Sequence, residues 1–354
     1  MVFKLRSVAP CLLLATLAAC TTVGTTDGVV GAETRKGGFL GLSTKDAVEV
    51  RYAKGFAQVS KVVIGGFKVG FNDSKELERK RETMAYNTVT RGLVKLEGID
   101  DATRQRVTDE MYEHLITLLQ ARGYQVVPRE TFTGSPAYQG VKEFDFPYQE
   151  DNSGLFSSYG TGYFYSPAQI GPKQAFFTGE RPDPGAFAGF DSMGISNAAF
   201  KFAEISDARV LNVSYIVDFA GAAGSDGFFS STAMRVGQRM TVDSGILGIS
   251  KGETGITTAQ TGQLTLGQPV HSDQEFATIE DVTSEVEAGA TMALNAATGY
   301  LRGGLFGAMT KTQNQTREYI FHATSGKYAD AARAVLTQAN TLMVDKMAEL
   351  RSGG

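Results

Sequence analysis

The chain contains 354 residues, of which 42% are hydrophobic, and its formal net charge is −4 at pH 7. A mildly acidic chain lacks the concentrated positive charge that attracts nucleic acid, so we expect no nucleic-acid partner. Its histidines, His114, His271 and His322, lie far apart and have no Cys or His neighbour at ligand spacing. This excludes a zinc site built from Cys and His, and we expect no metal or cofactor.

The N-terminal segment has the layout of a bacterial lipoprotein signal. A basic start is followed by an apolar centre and then by Leu17-Ala18-Ala19-Cys20. The small residues Ala18 and Ala19 suit a processing protease, so we predict a signal peptide over residues 1–19, cleaved directly before Cys20. The apolar stretch is shorter than the roughly 20 residues that a transmembrane helix requires.

Lipidation of Cys20 would tie the mature chain to a lipid bilayer, and several acyl chains make such an attachment stable. The next residue is Thr21 rather than Asp, which in enterobacteria-like sorting implies the outer membrane, with the protein facing the periplasm. Cys11 leaves with the signal, so the mature chain keeps one thiol and forms no internal disulfide. Residues 20–44 are rich in Thr, Gly and Val without a period, which predicts a flexible tether.

We expect a periplasmic domain over residues 45–350. Its first half contains a predicted buried strand at 59–71, in which Gly65-Gly66 marks a bulge or a close approach of another backbone. The mixed charges of residues 73–91 predict a solvated helix or loop. Apolar residues spaced by three and four predict a helix over 102–122, and a strand at 124–128 follows it.

Residues 131–193 form an insert that is rich in aromatic residues, Pro and Gly, a composition that disfavours long helices and central strands. Disordered segments are poor in aromatic residues, so we expect the insert to pack against something. Two interpretations stay open. Its rings either form a core of their own or stack on a ligand, and the candidate ligand contacts are Tyr159, Tyr163, Phe164 and Tyr165.

The second half adds further elements to the same domain. The pattern of residues 281–302 fits both a helix and a strand, and we favour a helix because so long a strand is unusual in soluble sheets. The other predictions are a helix at 196–206, a strand at 210–220, a hairpin region at 221–280 with alternation over 228–242, a strand at 317–323 and a final helix at 329–350. These elements predict an α+β or α/β fold, a mixed sheet flanked by helices with antiparallel hairpin extensions.

No catalytic motif stands out in the sequence. The glycines at 65–70 lack the spacing and the Lys-Ser/Thr ending of a phosphate-binding loop. Residues 189–194 evoke a hydrolase elbow around Ser192, but Phe190 stands where the first glycine belongs, so a glycine-bounded turn is the simpler interpretation. We therefore expect a protein that is not an enzyme.

Three segments resemble the curli-secretion lipoproteins, which have an anticodon-binding-like α/β periplasmic domain. They are VVIGGFKVGF at 62–71, LLQARGYQVVPRE at 118–130 and FAEISDARVLNVSYIVDFAG at 202–221. The resemblance implies a ring of protomers in the outer membrane, in which each protomer gives two hairpins to a β-barrel that exports unfolded protein. The insert has no counterpart in that family, and only 228–242 approaches the alternation of a barrel strand.

The sequence leaves two functions open. The first is a non-enzymatic envelope component that assembles, secretes or interacts with other proteins. The alternative is a lipoprotein that binds or acts on glycan or cell-wall polysaccharide through the aromatic insert.

Overall fold

The structure is a computed structural model that describes residues 30–32, 36–37, 43–44, 46–82, 86–152, 160–181, 185–223, 235–250, 262–283 and 311–352. Its strands are β1 (Val30–Ala32), β2 (Lys36–Gly37), β3 (Ser43–Thr44), β4 (Val48–Arg51), β5 (Lys61–Asn72), β6 (Ser74–Glu82), β7 (Tyr86–Glu97), β8 (Gln125–Val127), β9 (Phe144–Asp145), β10 (Tyr148–Asn152), β11 (Gly160–Tyr165), β12 (Lys173–Gln174), β13 (Arg209–Ala223), β14 (Arg235–Ile249), β15 (Gly262–Leu266), β16 (Val270–Ser272), β17 (Ala277–Asp281) and β18 (Lys311–Ala323). Its helices are α1 (Asp101–Ala121), α2 (Glu130–Thr133), α3 (Gly185–Ile205) and α4 (Ser325–Ser352). The predicted mixed sheet with flanking helices, hairpins and a C-terminal helix is confirmed.

Strand β5 lies at the centre of the larger sheet, and every one of its residues after Lys61 is buried. Strand β13 runs parallel to it on one side, while β8 (parallel) and β11 (antiparallel) share its other side. Strand β14 pairs antiparallel with β13 and continues the sheet towards β15 and β16. The β-branched run near the start of β5 thus lies in a strand that is buried on both faces of the sheet, as its composition predicts.

Helices α1 and α4 pack together over one face of this sheet. Helix α1 begins after Asp100, whose side chain accepts a hydrogen bond from the Thr103 amide at 2.8 Å. It ends before Gly123, which adopts the left-handed φ of +77° that favours glycine. The apolar stripe of α4 includes Val335 and Leu336, both fully buried in the main core.

The opposite face of the sheet is covered by α2, α3 and the insert. Phe132 of α2 and Phe202 of α3 form an edge-to-face pair with ring centroids 5.3 Å apart, above Val63 and Val210 of the sheet. A separate aromatic cluster lies beside them around Phe164, Phe176 and Ile216. The sheet is therefore the middle layer between two layers of covering elements.

A second sheet extends the domain beyond the end of β5. Its strand order is β17–β18–β7–β6, with β18 parallel to β7. Strand β13 pairs with β5 as far as Val217 and then continues to Ala223, beyond the end of that pairing. There Phe219 packs against Phe321 of β18 with ring centroids 5.3 Å apart, so the far part of the β13–β14 hairpin contacts the second sheet.

The structure corrects the prediction for residues 73–91. This stretch forms β6 and the first half of β7 instead of a helix or loop. The inward positions of β6 are Lys75, which pairs with buried Asp218, and Leu77, which is 8% exposed. A charged residue at an inward position hides the alternation that identifies a half-buried strand.

Other predictions differ from the structure at their boundaries. Helix α3 begins at residue 185, eleven residues before the predicted start at 196, and therefore enters the segment in which we expected no long helix. Part of the predicted tether belongs to the sheet, because Val30–Ala32 pairs with Val270–Ser272 of β16. The ambiguous segment 281–302 lies outside the described residues from 284 onward, and its first residues end the β17 pairing.

None of the helices in the described ranges combines the length and the apolar composition that crossing a membrane requires.

Candidate functional site

The centre of β5 contains an irregularity in its pairing with β13. Ile64 pairs with Leu211 and Gly66 pairs with Asn212, so Gly65 forms a bulge, as the paired glycines predict. A Cβ atom on Gly65 would lie 2.5 Å from Cγ1 of Val210, a distance that no side chain tolerates. Glycine is therefore required here for close packing.

The insert completes the free edge of β5 between β8 and β11. Those strands pair only with residues 61–63 and 69–72. At the gap, Gln174 accepts a hydrogen bond from the Phe67 amide at 3.0 Å and donates one to the Phe67 carbonyl at 2.8 Å. One buried amide side chain thus replaces a strand neighbour and satisfies both backbone groups.

Lys68 extends from β5 into this interface and is fully buried. Its Nζ atom donates to Oε2 of Glu180 at 2.9 Å, and the side chains of both partners are 0% exposed. The rings of Phe176 and Phe177 lie 5.4 and 5.7 Å from the same nitrogen. Burial lowers the pKa of Lys68 below its ordinary value, and the charge of Glu180 opposes this effect.

Glu180 is held in place by a tight turn and by a third side chain. Gly179 adopts a φ of +88°, and the Phe177 amide donates to Oε2 of Glu180 at 2.8 Å. Asn212 of β13, 4% exposed, donates from Nδ2 to Oε1 at 2.8 Å. An amine, a carboxyl group and a carboxamide are thus brought together, and we call Lys68, Glu180 and Asn212 the buried triad.

A second ion pair beside the buried triad connects two parts of the insert. Arg181 donates from Nε and from a terminal nitrogen to the two carboxylate oxygens of Glu150, at 2.9 and 2.8 Å. Its guanidinium carbon lies 5.4 Å from the centroid of the Tyr148 ring. Bidentate pairing of this kind fixes geometry as well as charge. This pair stabilises the insert internally, whereas Gln174 and Glu180 dock it on β5 and β13.

The predicted ligand-contact aromatics are divided by their burial. Phe164 and Tyr165 are 3% and 1% exposed, and the Tyr165 hydroxyl donates to Asp101 at 2.6 Å. Tyr163 is half-buried against the main core. The rings of Phe164 and Tyr165 therefore pack inside the protein, which agrees with packing rather than ligand stacking, the two interpretations that the sequence leaves open. Tyr159 lies outside the described residues.

The predicted lipidation and cleavage residues, Leu17, Ala18, Ala19 and Cys20, also lie outside the described residues. Ser192 lies within α3 and is 8% exposed, with the Thr178 hydroxyl donating to it at 3.3 Å. A hydrolase nucleophile of the elbow type occupies a strand-to-helix turn, and this residue occupies the interior of a helix. The glycine-bounded turn expected at 189–194 is replaced by that helix.

The buried triad was missed from the sequence, although a signal was present. Lys68 interrupts an otherwise apolar buried strand, and a lysine in such a place requires a partner. The partner, Glu180, is 112 positions away in an irregular segment, so no periodicity links the two residues. Across the residues that the structure describes, no group of three or more His, Cys, Asp or Glu side chains is placed to hold a metal ion.

Comparison of this chain with protein-family models, with curated proteins and with solved structures finds no match.

Proposed function

We propose that this chain is a periplasmic lipoprotein, anchored in the outer membrane through Cys20, that acts as a non-enzymatic assembly, secretion or interaction component of the cell envelope. The lipoprotein signal at residues 17–20 supports the location. The role is supported by the all-β extension, defined here as β6, β7, β17 and β18 together with the far part of the β13–β14 hairpin.

The observation that carries this proposal is the length and edge arrangement of the extension. Strands β7, β13, β14 and β18 contain 12, 15, 15 and 13 residues, whereas strands of globular proteins average about 5–6. The outer strands of the second sheet are β6 and β17. Outer strands present backbone groups that a further strand can pair with, which favours association with another chain.

A version of this proposal is a ring of identical subunits. A head-to-tail contact between two different edges of one chain generates a closed ring when the rotation between neighbours closes. Strands β6 and β17 lie at opposite ends of the second sheet and therefore offer two different edges for a contact of this kind.

The insert supports the interaction role over the glycan-binding alternative. In the described part of the insert, aromatic rings pack on one another, and the Phe176 centroid lies within 5.6 Å of the Phe144, Phe146, Tyr148 and Phe164 centroids. Rings that pack against one another in this way have little free face on which a sugar could stack.

The test is the mass of the purified lipidated protein in detergent, measured by light scattering and inspected by negative-stain microscopy. We expect an assembly of several copies, with rings in the images. A protein that remains monomeric under these conditions contradicts the assembly version. The Cys20→Ala variant is the matched control for attachment, and it should leave the membrane fraction.

A further inference from the structure

We propose that Lys68 and Asn212 become joined by an intramolecular amide bond, formed within the folded protein with the help of Glu180. This cross-link would connect the neighbouring parallel strands β5 and β13. It concerns the maturation of the domain and does not depend on the proposed envelope role.

The geometry of the buried triad supports this reaction. The attacking atom would be Nζ of Lys68, 2.9 Å from Oε2 of Glu180. The leaving group would be Nδ2 of Asn212, 2.8 Å from Oε1 of the same carboxylate. Both distances lie within the range in which a side chain transfers protons directly. One carboxyl group thus contacts both nitrogens whose protons must move.

Two glycines make room for the reacting groups. Asn212 pairs with Gly66 of β5 on one side and with Gly248 of β14 on the other. A Cβ atom on Gly66 would lie 2.9 Å from Nζ of Lys68, and one on Gly248 would lie 2.5 Å from Oδ1 of Asn212. The lysine amine therefore occupies the space directly across from the asparagine, where any other residue would displace it.

The surroundings favour the neutral form of the amine. Lys68 is fully buried beside the rings of Phe176 and Phe177, and burial lowers its pKa. Water is excluded from the carboxamide, which is 4% exposed, so hydrolysis does not compete. Because the amine and the carboxamide are held in place in a site without water, the reaction needs no encounter between separate molecules.

The reaction balances without an oxidant or a co-reactant. A proton passes from the Lys68 ammonium group to Glu180, and the neutral amine attacks Cγ of Asn212. The new Nζ–Cγ bond forms and the Cγ–Nδ2 bond breaks. The protonated Glu180 gives its proton to Nδ2 and then accepts a second proton from Nζ. Ammonia leaves, and a secondary amide and a protonated Glu180 remain. The mature chain is predicted to keep one thiol, so this bond would supply covalent closure that disulfides cannot.

The experiment is mass spectrometry of the full chain purified in detergent. Loss of ammonia lowers the mass by about 17 Da relative to the processed sequence. Trypsin would not cut after a modified Lys68, so residues 62–75 should appear joined to residues 210–235. Glu180→Gln should leave the two peptides separate. The matched control Glu150→Gln, which removes the neighbouring buried carboxylate, should keep them joined.

Separate peptides 62–68 and 210–235 in the wild-type digest, with Asn212 intact, would overturn the proposal. A loss of about 17 Da confined to the Asn212 peptide would also overturn it, because that result indicates a cyclic imide. If the two peptides are still joined in the Glu180→Gln variant, Glu180 is not needed for the reaction and its proposed role is wrong. The wild-type protein alone decides whether the bond exists, so a variant that fails to fold does not obscure the answer.

Discussion

At the scale of single residues, buried polar side chains connect the layers of this domain. Tyr215 of β13 donates from its hydroxyl to Oδ1 of Asn340 in α4 at 2.9 Å. Asn340 in turn donates to the Met111 carbonyl of α1 at 3.0 Å. All three residues are buried, so the sheet and both helices on this face share one hydrogen-bonded path.

Tyr215→Phe should therefore lower the free energy of unfolding by about 1–2 kcal/mol, because it leaves a buried acceptor on Asn340 without its partner. Urea denaturation of the purified protein measures this change. The matched control is Tyr124→Phe. The Tyr124 hydroxyl is buried without a hydrogen-bond partner among the described residues, and burial raises its pKa to about 12. That substitution should be neutral or stabilising, and an equal loss in both variants would contradict the interpretation.

Residue-level prediction from sequence succeeded where geometry is local. The bulge at Gly65 follows from two glycines that are adjacent in the chain. The buried triad and the burial of Phe164 and Tyr165 depend on segments far apart in sequence. An aromatic residue looks the same whether it packs in a core or faces a ligand, so composition alone could not separate the two.

At the scale of elements, charge pairs fix the point where β5 passes into the all-β extension. Lys75 of β6 pairs with Asp218 of β13, which is 1% exposed. Asp218 also accepts from the Phe219 amide at 2.8 Å, at a bulge in β13. Arg104 of α1 donates to Asp73 at 2.6 Å, directly before β6 begins.

Lys75→Met should cost about 3 kcal/mol of unfolding free energy, because it keeps the aliphatic stem but leaves Asp218 buried without its cation. Lys95→Met is the matched control on the neighbouring strand, where the lysine side chain is 65% exposed and pairs with Glu97. The control should change the urea midpoint little. Equal effects at the two positions would show that the buried pair does not fix the junction.

The cap of α1 predicts a pH dependence. The hydrogen bond from Thr103 lowers the pKa of Asp100 below its ordinary value. Its stabilising contribution is therefore present above the unfolded value of about 4 and is lost as pH falls through the folded pKa. Asp100→Ala should lower the melting temperature at pH 7, and this gap in melting temperature between the variant and the wild type should narrow in acid. A gap that is constant across pH would contradict this account, and Asp100→Asn, which caps without titrating, should show a weaker pH dependence.

Elements with a clear apolar period were predicted well, and charged or glycine-rich ones were not. The core strand, α1, β13 and the final helix appear where the sequence places them. Strand β6 was missed because Lys75 occupies an inward position. Helix α3 starts early despite Gly185, Gly189 and Gly194, whose helix-weakening effect argues against a helix in this stretch.

At the scale of the whole molecule, the domain consists of a helix-covered sheet with an insert on one face and an all-β extension at one end. The class of this fold follows from the order of predicted elements. The second sheet does not, because its strand order joins β7 to β18 across more than two hundred positions of sequence. Long-range parallel pairing leaves no local pattern that would reveal it.

The proposed envelope role depends most on the proposed anchoring of the protein through Cys20. The most direct measurement is mass spectrometry of the N-terminal peptide from purified outer membranes. We expect a mature chain that begins at acylated Cys20, without residues 1–19, and a Cys20→Ala variant that is absent from this fraction. A protein that retains residues 1–19, or an unmodified Cys20 in soluble periplasm, would contradict it.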